Sequence, residues 1–209
     1  MKKLFIVFAM ALLTATIVKS QSQYESGMQK AFGLWQEGKS MEAVALFERI
    51  GQAEKDNWIP LYHAANVLIV SQFEVQDLVK RNAMLEQAKQ VIAEAHKRSK
   101  NNSEITTLEG MLYTGYVTID PQTYGMKYSP KIMQLHNTAV TLDPENPRAL
   151  ANKIQFDMGS AKFFGNDLAP FCAQMKEILP KFENEKSDTP FAPSGGYENA
   201  KRIAESCDN

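Results

Sequence analysis

The chain has 209 residues, 44% of them hydrophobic, and 23 Lys and Arg face 24 Asp and Glu for a formal net charge of −1. That is enough for one domain with a sizeable core. It argues against nucleic-acid binding, because duplex binders carry a visible excess of cations to displace counterions.

The first twenty residues, MKKLFIVFAMALLTATIVKS, place two lysines before an apolar run from Leu4 to Val18 and then small and polar residues. The run is about 15 residues, short of the roughly 20 that a spanning helix needs. This order of charge, apolar core and small residues is that of a secretory signal peptide, with cleavage before Gln21 or Gln23. No cysteine follows the run to accept a lipid. Residues 1–20 are therefore read as a signal peptide and 21–209 as one exported domain, periplasmic, cell-surface or secreted, with no retained membrane anchor.

The mature sequence carries helical periodicity nearly throughout and no convincing strand alternation. A first helix opens at SQYE, a capping box of Ser22 and Glu25, and stops at Gly38. A second starts at Ser40, with Ala43, Phe47 and Ile50 on one face. Helix, Gly turn and helix over residues 24–57 match a 34-residue tetratricopeptide (TPR) pattern through Ala31, Leu34, Gly38, Ala43 and Phe47. Small side chains at such positions let antiparallel helices approach closely.

A second unit, 58–102, matches through Ala65, Leu68, Ala88, Ile92 and Ala95, with SQFEVQDLVKRN as a helical extension between its helices. The cluster His96-Lys97-Arg98 with Lys100 suits the end of a helix, where cations complement the macrodipole. The third unit, 103–146, has Gly110 at its small position. DPQTYGMKY is read as a turn-rich insertion, and Ser129 and Pro130 as the cap and first residue of its second helix. Pro144 then closes this unit, and Asn146 with Pro147 starts the fourth, 147–186. Pro190 and Pro193 mark an extended link in the tail 187–209, which ends in an amphipathic helix from about Tyr197 to Ser206. Such a helix would cover the last exposed face of the stack. The expected fold is all-α, a right-handed α-solenoid of about four TPR-like helix pairs with a C-terminal capping helix.

DPQTYGMKYSP (with Asp120, Pro121, Gly125 and Pro130), LDPENPRA, FFG at 163–165 and PFAPSGGYENAKRIAESC together resemble exported TPR-like proteins of the Gram-negative bacterial envelope. The similarity covers most of the mature chain. Relatives tend to carry a Trp before the Gly of the last segment, where Ser194 stands here. The resemblance implies a helical repeat fold, brings no established activity, and supplies no catalytic residues.

Local signatures of chemistry are absent. His63, His96 and His136 are far apart, and none has a second ligand at i+3 or i+4, so no metal or haem site is built on local spacing. His136 sits at the large-residue position of its repeat and reads as a core histidine. No phosphate loop or nucleophile elbow occurs, and neither cysteine has a neighbouring histidine. No cofactor and no catalytic residue are expected. Cys172 and Cys207 are a possible disulfide in an oxidising compartment, closing a loop of about 36 residues for roughly 3–4 kcal/mol. Two independent small hydrophobes are the alternative.

The expected functional surface is the inner groove of the solenoid. Its first helices offer Met28, Phe32 and Trp35, then Tyr62, Asn66 and Ile69, then Thr107 and Met111, then Arg148 and Gln155. Aromatic and Met side chains there suit an extended or helical peptide. The Lys/Asn clamp for C-terminal carboxylates is missing. If the insertions close the groove, Phe32 and Trp35 become ordinary core. Asp120 and Arg148 could pair as a clasp between the insertion and the fourth unit, or end as two solvated loop residues. The function expected is a non-catalytic scaffold or adaptor for an envelope protein or peptide. A small-ligand-binding protein with a cavity between the inserted helices is the alternative, and an enzyme with a non-local site is third.

Overall fold

The computed structural model describes residues 22–206, and every regular element among them is helical. The signal-peptide reading of 1–20 and Cys207 lie outside the described residues. Helix α1 runs over 22–36. It is followed by α2 (Ser40–Ala53), α3 (Ile59–Ser71), a 3-10 turn (Gln72–Glu74), α4 (Leu78–Arg98) and α5 (Ser103–Ile119). Then come α6 (Pro121–Leu142), α7 (Pro147–Phe163), α8 (Ala169–Asn184) and α9 (Tyr197–Ser206). Gly38, at φ +76°, turns the chain from α1 to α2, a conformation that costs glycine nothing. Asp77, Asn102, Asp120 and Asn146 accept the first free backbone N–H groups of α4, α5, α6 and α7.

Two insertions differ from their sequence reading. Residues 72–82 are not one helical extension: the chain leaves α3 through the 3-10 turn, extends at Val75, and restarts where the Asp77 carboxylate accepts from Val79 and Lys80 N–H. DPQTYGMKY is helical rather than turn-rich. Asp120 caps it, Pro121 takes the first turn, and α6 runs through Pro130 without a new start at Ser129. An interior proline removes one backbone hydrogen bond, and the Ser129 hydroxyl turns back onto the Gly125 carbonyl at 2.7 Å.

Each helix from α2 onward packs on its successor, and α5 also touches α3 and α7. Small residues sit at the close approaches. Ala31, Ala43, Ala65, Ala88 and Ala139 are fully buried. A Cβ on Gly110 would lie 2.6 Å from the His136 ring, so any larger residue there must displace the imidazole or the helix. One continuous core fills α1 to α6, and a smaller one around Ile154, Met175, Ile178, Ala200 and Ala204 joins α7, α8 and α9.

Two arginines lock the far ends. The Arg98 guanidinium donates from Nη1 to the carbonyls of Gly51 (2.7 Å), Glu54 (3.1 Å) and Asn57 (3.1 Å), satisfying acceptors left where α2 ends. Arg148 is buried between two carboxylates. It meets Glu104 at 2.9 Å through Nε and 2.6 Å through Nη2, and Glu185 at 2.6 Å through Nη1. The expected clasp with Asp120 is corrected accordingly: Asp120 is spent on the α6 cap, and Arg148 ties α5 to the end of α8.

Candidate functional site

The residues assigned to an inner groove are mostly packing. Met28, Tyr62 and Ile69 are buried, as are Thr107 and Arg148, whereas Phe32, Trp35, Asn66 and Met111 are half-buried and Gln155 is exposed. The chain itself covers one end of this face. Phe191, in the link between α8 and α9, stacks on Phe32 at 6.1 Å between centroids and meets the edge of Tyr24 at 5.7 Å. Its carbonyl accepts from His63 Nε2 at 2.8 Å, which places the ring proton on that nitrogen. Cys172 on α8 is disulfide-bonded, and its expected partner Cys207 is outside the described residues.

A different surface gathers chemistry that sequence order keeps apart. Helices α4 and α6 both pack on α5 and share at most a marginal contact with each other, so α5 floors the groove between them, which its buried Tyr113 and Tyr116 largely fill. Glu109, Tyr113 and Tyr116 recur on the floor at spacings of four and three, hence on one helical face. The α4 wall has Glu86, Lys89, Ala93 and His96 at the same periodicity, over about 15 Å of helix. The α6 wall has Tyr124, Lys127, Tyr128 and Lys131.

Four tyrosines make the aromatic part. Tyr124 and Tyr128 stack at 5.4 Å and 17° between planes. Tyr128 lies 4.9 Å from Tyr113 and 5.7 Å from Tyr116, and Tyr116 meets Tyr124 at 5.7 Å. Tyr113 and Tyr116 are buried, and Tyr124 and Tyr128 are half-exposed. Cations border these rings: Lys131 Nζ is 3.9 Å from the Tyr113 centroid, and Lys127 Nζ is 5.0 Å from that of Tyr128.

Polar contacts tie the walls to the floor. The Tyr116 hydroxyl donates to Glu86 in a short contact, and burial together with that acceptor holds the phenol protonated. Lys131 donates to the Tyr113 hydroxyl at 2.7 Å and pairs with Glu109 at 3.0 Å. Burial opposes the Lys131 charge, but these two partners outweigh it and hold the ammonium above its ordinary range. His96 Nε2 lies 3.2 Å from Glu109 Oε2. That hydrogen bond, against the cost of burial and with Lys131 adding to it, holds the Glu109 carboxyl below its usual range. Phe73, Leu78 and Val79, around the start of α4, are exposed. Arg81 sits there, 5.8 Å over the Phe73 ring and 2.7 Å from Gln72 Oε1.

Among the described residues no group of three or more His, Cys, Asp or Glu is placed to hold a bare metal ion. The groove instead offers aromatic faces, several cations, and one histidine oriented by a carboxylate. Another depression of about 450 Å³ lies along the outer side of α6, lined by Met133, Asn137, Thr141 and Leu142 among others. It has no titratable side chain to orient a ligand. Sequence reading missed the α4–α6 groove because its members lie on three helices. The available signal was the tyrosine spacing 113/116 and 124/128, which also suits a plain core.

No family model matches the chain, and no curated protein matches it significantly. A solved structure, the HusA haemophore from Porphyromonas gingivalis, is similar, with a TM-score of 0.76 and 20% sequence identity over 88% of this chain and 91% of that one. At that identity the likeness establishes a shared all-helical fold. The scaffold or adaptor reading is corrected on two findings. The protein that shares the fold is a haemophore, and the face meant for a peptide is covered at its Phe32 end by Phe191.

Proposed function

We propose that the protein is a non-catalytic small-molecule carrier whose α4–α6 groove takes a planar, anionic macrocycle of the haem class. The observation that carries this reading is the groove itself, where four tyrosine rings in mutual contact are edged by Lys127 and Lys131. Flat aromatic faces suit a flat ring, and the lysines suit carboxylates at its edge. The haemophore fold supports the same class of ligand. When bound, a haem supplies its iron and two propionates. The tyrosines then shield its faces, and the lysines orient it.

The finer description of the fold belongs to the same proposal: a right-handed, TPR-like solenoid of about four helix pairs capped by α9. Recurring small residues at Ala31, Ala43, Ala65, Ala88 and Ala139, together with the α3–α5 and α5–α7 contacts, support it. Export to the periplasm, cell surface or medium is supported by the leader-like residues 1–20. It also fits the finding that no described helix is long and apolar enough to cross a membrane.

The test is titration of the purified chain with haemin and with metal-free protoporphyrin IX, read by absorbance and by quenching of tyrosine and tryptophan emission. Saturable one-to-one binding is expected, weakened at least about tenfold in Tyr128→Ala with the helical circular dichroism intact. Each base-stacking aromatic in comparable flat-ring sites is worth ~1–3 kcal/mol. Binding of neither macrocycle by the folded parent chain would end this reading.

A further inference from the structure

We propose that one end of the molecule, where α1, α3, α5 and α7 finish and α2, α4 and α6 begin, is a docking edge for a zwitterionic phospholipid surface. Such docking goes beyond the macrocycle reading and is independent of it.

Short connections between packed helices reverse the chain at each step, so helix ends alternate between two ends of the fold. Hydrogen bonds fix which ends meet. Ser71, closing α3, donates to Ser40, opening α2, at 2.9 Å. Arg81, near the start of α4, reaches Gln72 just after α3 at 2.7 Å and Thr118 near the end of α5 at 3.4 Å. At the opposite end Ser103, opening α5, donates to the Ala139 carbonyl of α6 at 2.9 Å, and Arg148, near the start of α7, meets Glu104 near the start of α5. Helices α5 and α7 touch side by side with their starts together, so α7 finishes on the same edge as α3 and α5.

Exposed apolar side chains gather on that edge. Ten large hydrophobic residues are exposed among the described residues, and all but Met133 and Leu142 are there. Met41 opens α2, Val70 and Phe73 lie around the end of α3, and Leu78 and Val79 open α4. Met126 stands in the second turn of α6, and Phe163 and Phe164 end α7 at 81% and 73% exposure. Single exposed hydrophobics are ordinary, but their concentration at one end marks an interaction surface.

Shape and charge select the partner. The tips stand on successive turns, about 8–10 Å of helix spacing apart, and none of them lines the depression beside α6. A row of protrusions without a recess fits a fluid interface, which admits apolar side chains between its headgroups. Each group of tips has a basic neighbour: Lys39 by Met41, Lys80 and Arg81 by Val79, Lys127 by Met126, and Lys162 by Phe163. Such side chains lay their stems on apolar surface and carry the charge to headgroup level. Carboxylates alternate with them. Glu37 pairs with Lys39 at 2.8 Å, Asp77 and Asp120 cap α4 and α6, and Glu42, Glu74 and Asp167 lie alongside. An edge carrying both signs complements headgroups that hold both an ammonium and a phosphate, rather than a purely anionic surface.

The exported form read from the sequence, residues 21–209, is floated with vesicles of phosphatidylcholine and phosphatidylethanolamine, without any macrocycle. A second set contains phosphatidylglycerol. The parent should partition onto the zwitterionic vesicles, with a change of no more than about twofold when salt is raised enough to screen exposed charges. Phe163→Ser with Phe164→Ser, and separately Leu78→Ser with Val79→Ser, should each lower partitioning by about tenfold or more, while Met133→Ser stays within about twofold of the parent. All these side chains are exposed, and unchanged circular dichroism confirms that each variant is folded. Equal loss in Met133→Ser and the edge variants would overturn the proposal. So would binding confined to phosphatidylglycerol vesicles and abolished by salt, which is adsorption by charge alone. A parent chain that ignores every vesicle would assign the edge to a protein partner instead, and dimerisation abolished by the Phe163 and Phe164 changes would assign it to a second copy.

Discussion

Arg148 shows what a single residue carries here. Its guanidinium lies between Glu104 and Glu185, and Asn146 Nδ2 adds a hydrogen bond to Glu104 at 2.8 Å. Burial opposes the Arg148 charge, and the two carboxylates more than restore it. Removing one member of such a buried set leaves unpaired charge in a poorly solvated place. Arg148→Met is expected to lower unfolding free energy by about 3–5 kcal/mol in urea titration; a loss under about 1 kcal/mol would show the set to be solvated.

The two buried histidines act in the opposite sense. Burial, only partly offset by the Phe191 carbonyl for His63 and by Asp157 for His136, lowers each from 6.5 to about 4. The unfolded chain therefore takes up protons first as pH falls. Their contribution is complete above about pH 6.5 and is lost progressively towards pH 4. Unfolding free energy should drop by up to about 1.4 kcal/mol per histidine per pH unit in that window. Equal urea midpoints at pH 7 and pH 5 would contradict this. His136 was legible as a core residue from its repeat position. The His96–Glu109 pair was not, because its partners lie on different helices and no local spacing signals a cross-helix contact.

At the scale of elements, the approach of α5 to α6 depends on Gly110. With Cβ 2.6 Å from the His136 ring, Gly110→Ala must push the imidazole or the helix aside. Overpacking of this kind costs ~1–3 kcal/mol, and His136→Ala in the same chain should return part of the loss. Strict additivity in the double-mutant cycle would show that the two sites do not meet. Glycine at this position was readable from the repeat. The course of residues 120–130 was not, since Pro121, Gly125 and Pro130 all argue locally for a turn. The Asp120 cap, a proline in the first helical turn and packing on α5 decided for helix instead. The reverse happened at 72–77, where no Gly or Pro warned of the break that Asp77 closes.

For the whole molecule, helicity was plain in the 3.6-residue pattern and in caps such as Asn146-Pro147, because those signals are local. The use of its surfaces was hidden. The inner face looked available for a peptide, but Phe191, more than 150 residues from Phe32, covers its Phe32 end. The second insertion lengthens α6 and carries Tyr124 and Tyr128, and only the assembled structure brings Glu86, His96, Glu109 and the tyrosines together. Haemin titration followed by amide chemical-shift mapping, with diamagnetic gallium protoporphyrin IX in place of the iron complex, tests this arrangement most directly. The shifts should cluster on 86–96, 109–116 and 124–131. A cluster around Tyr24, Phe32 and Phe191, or along Met133 to Leu142, would contradict it.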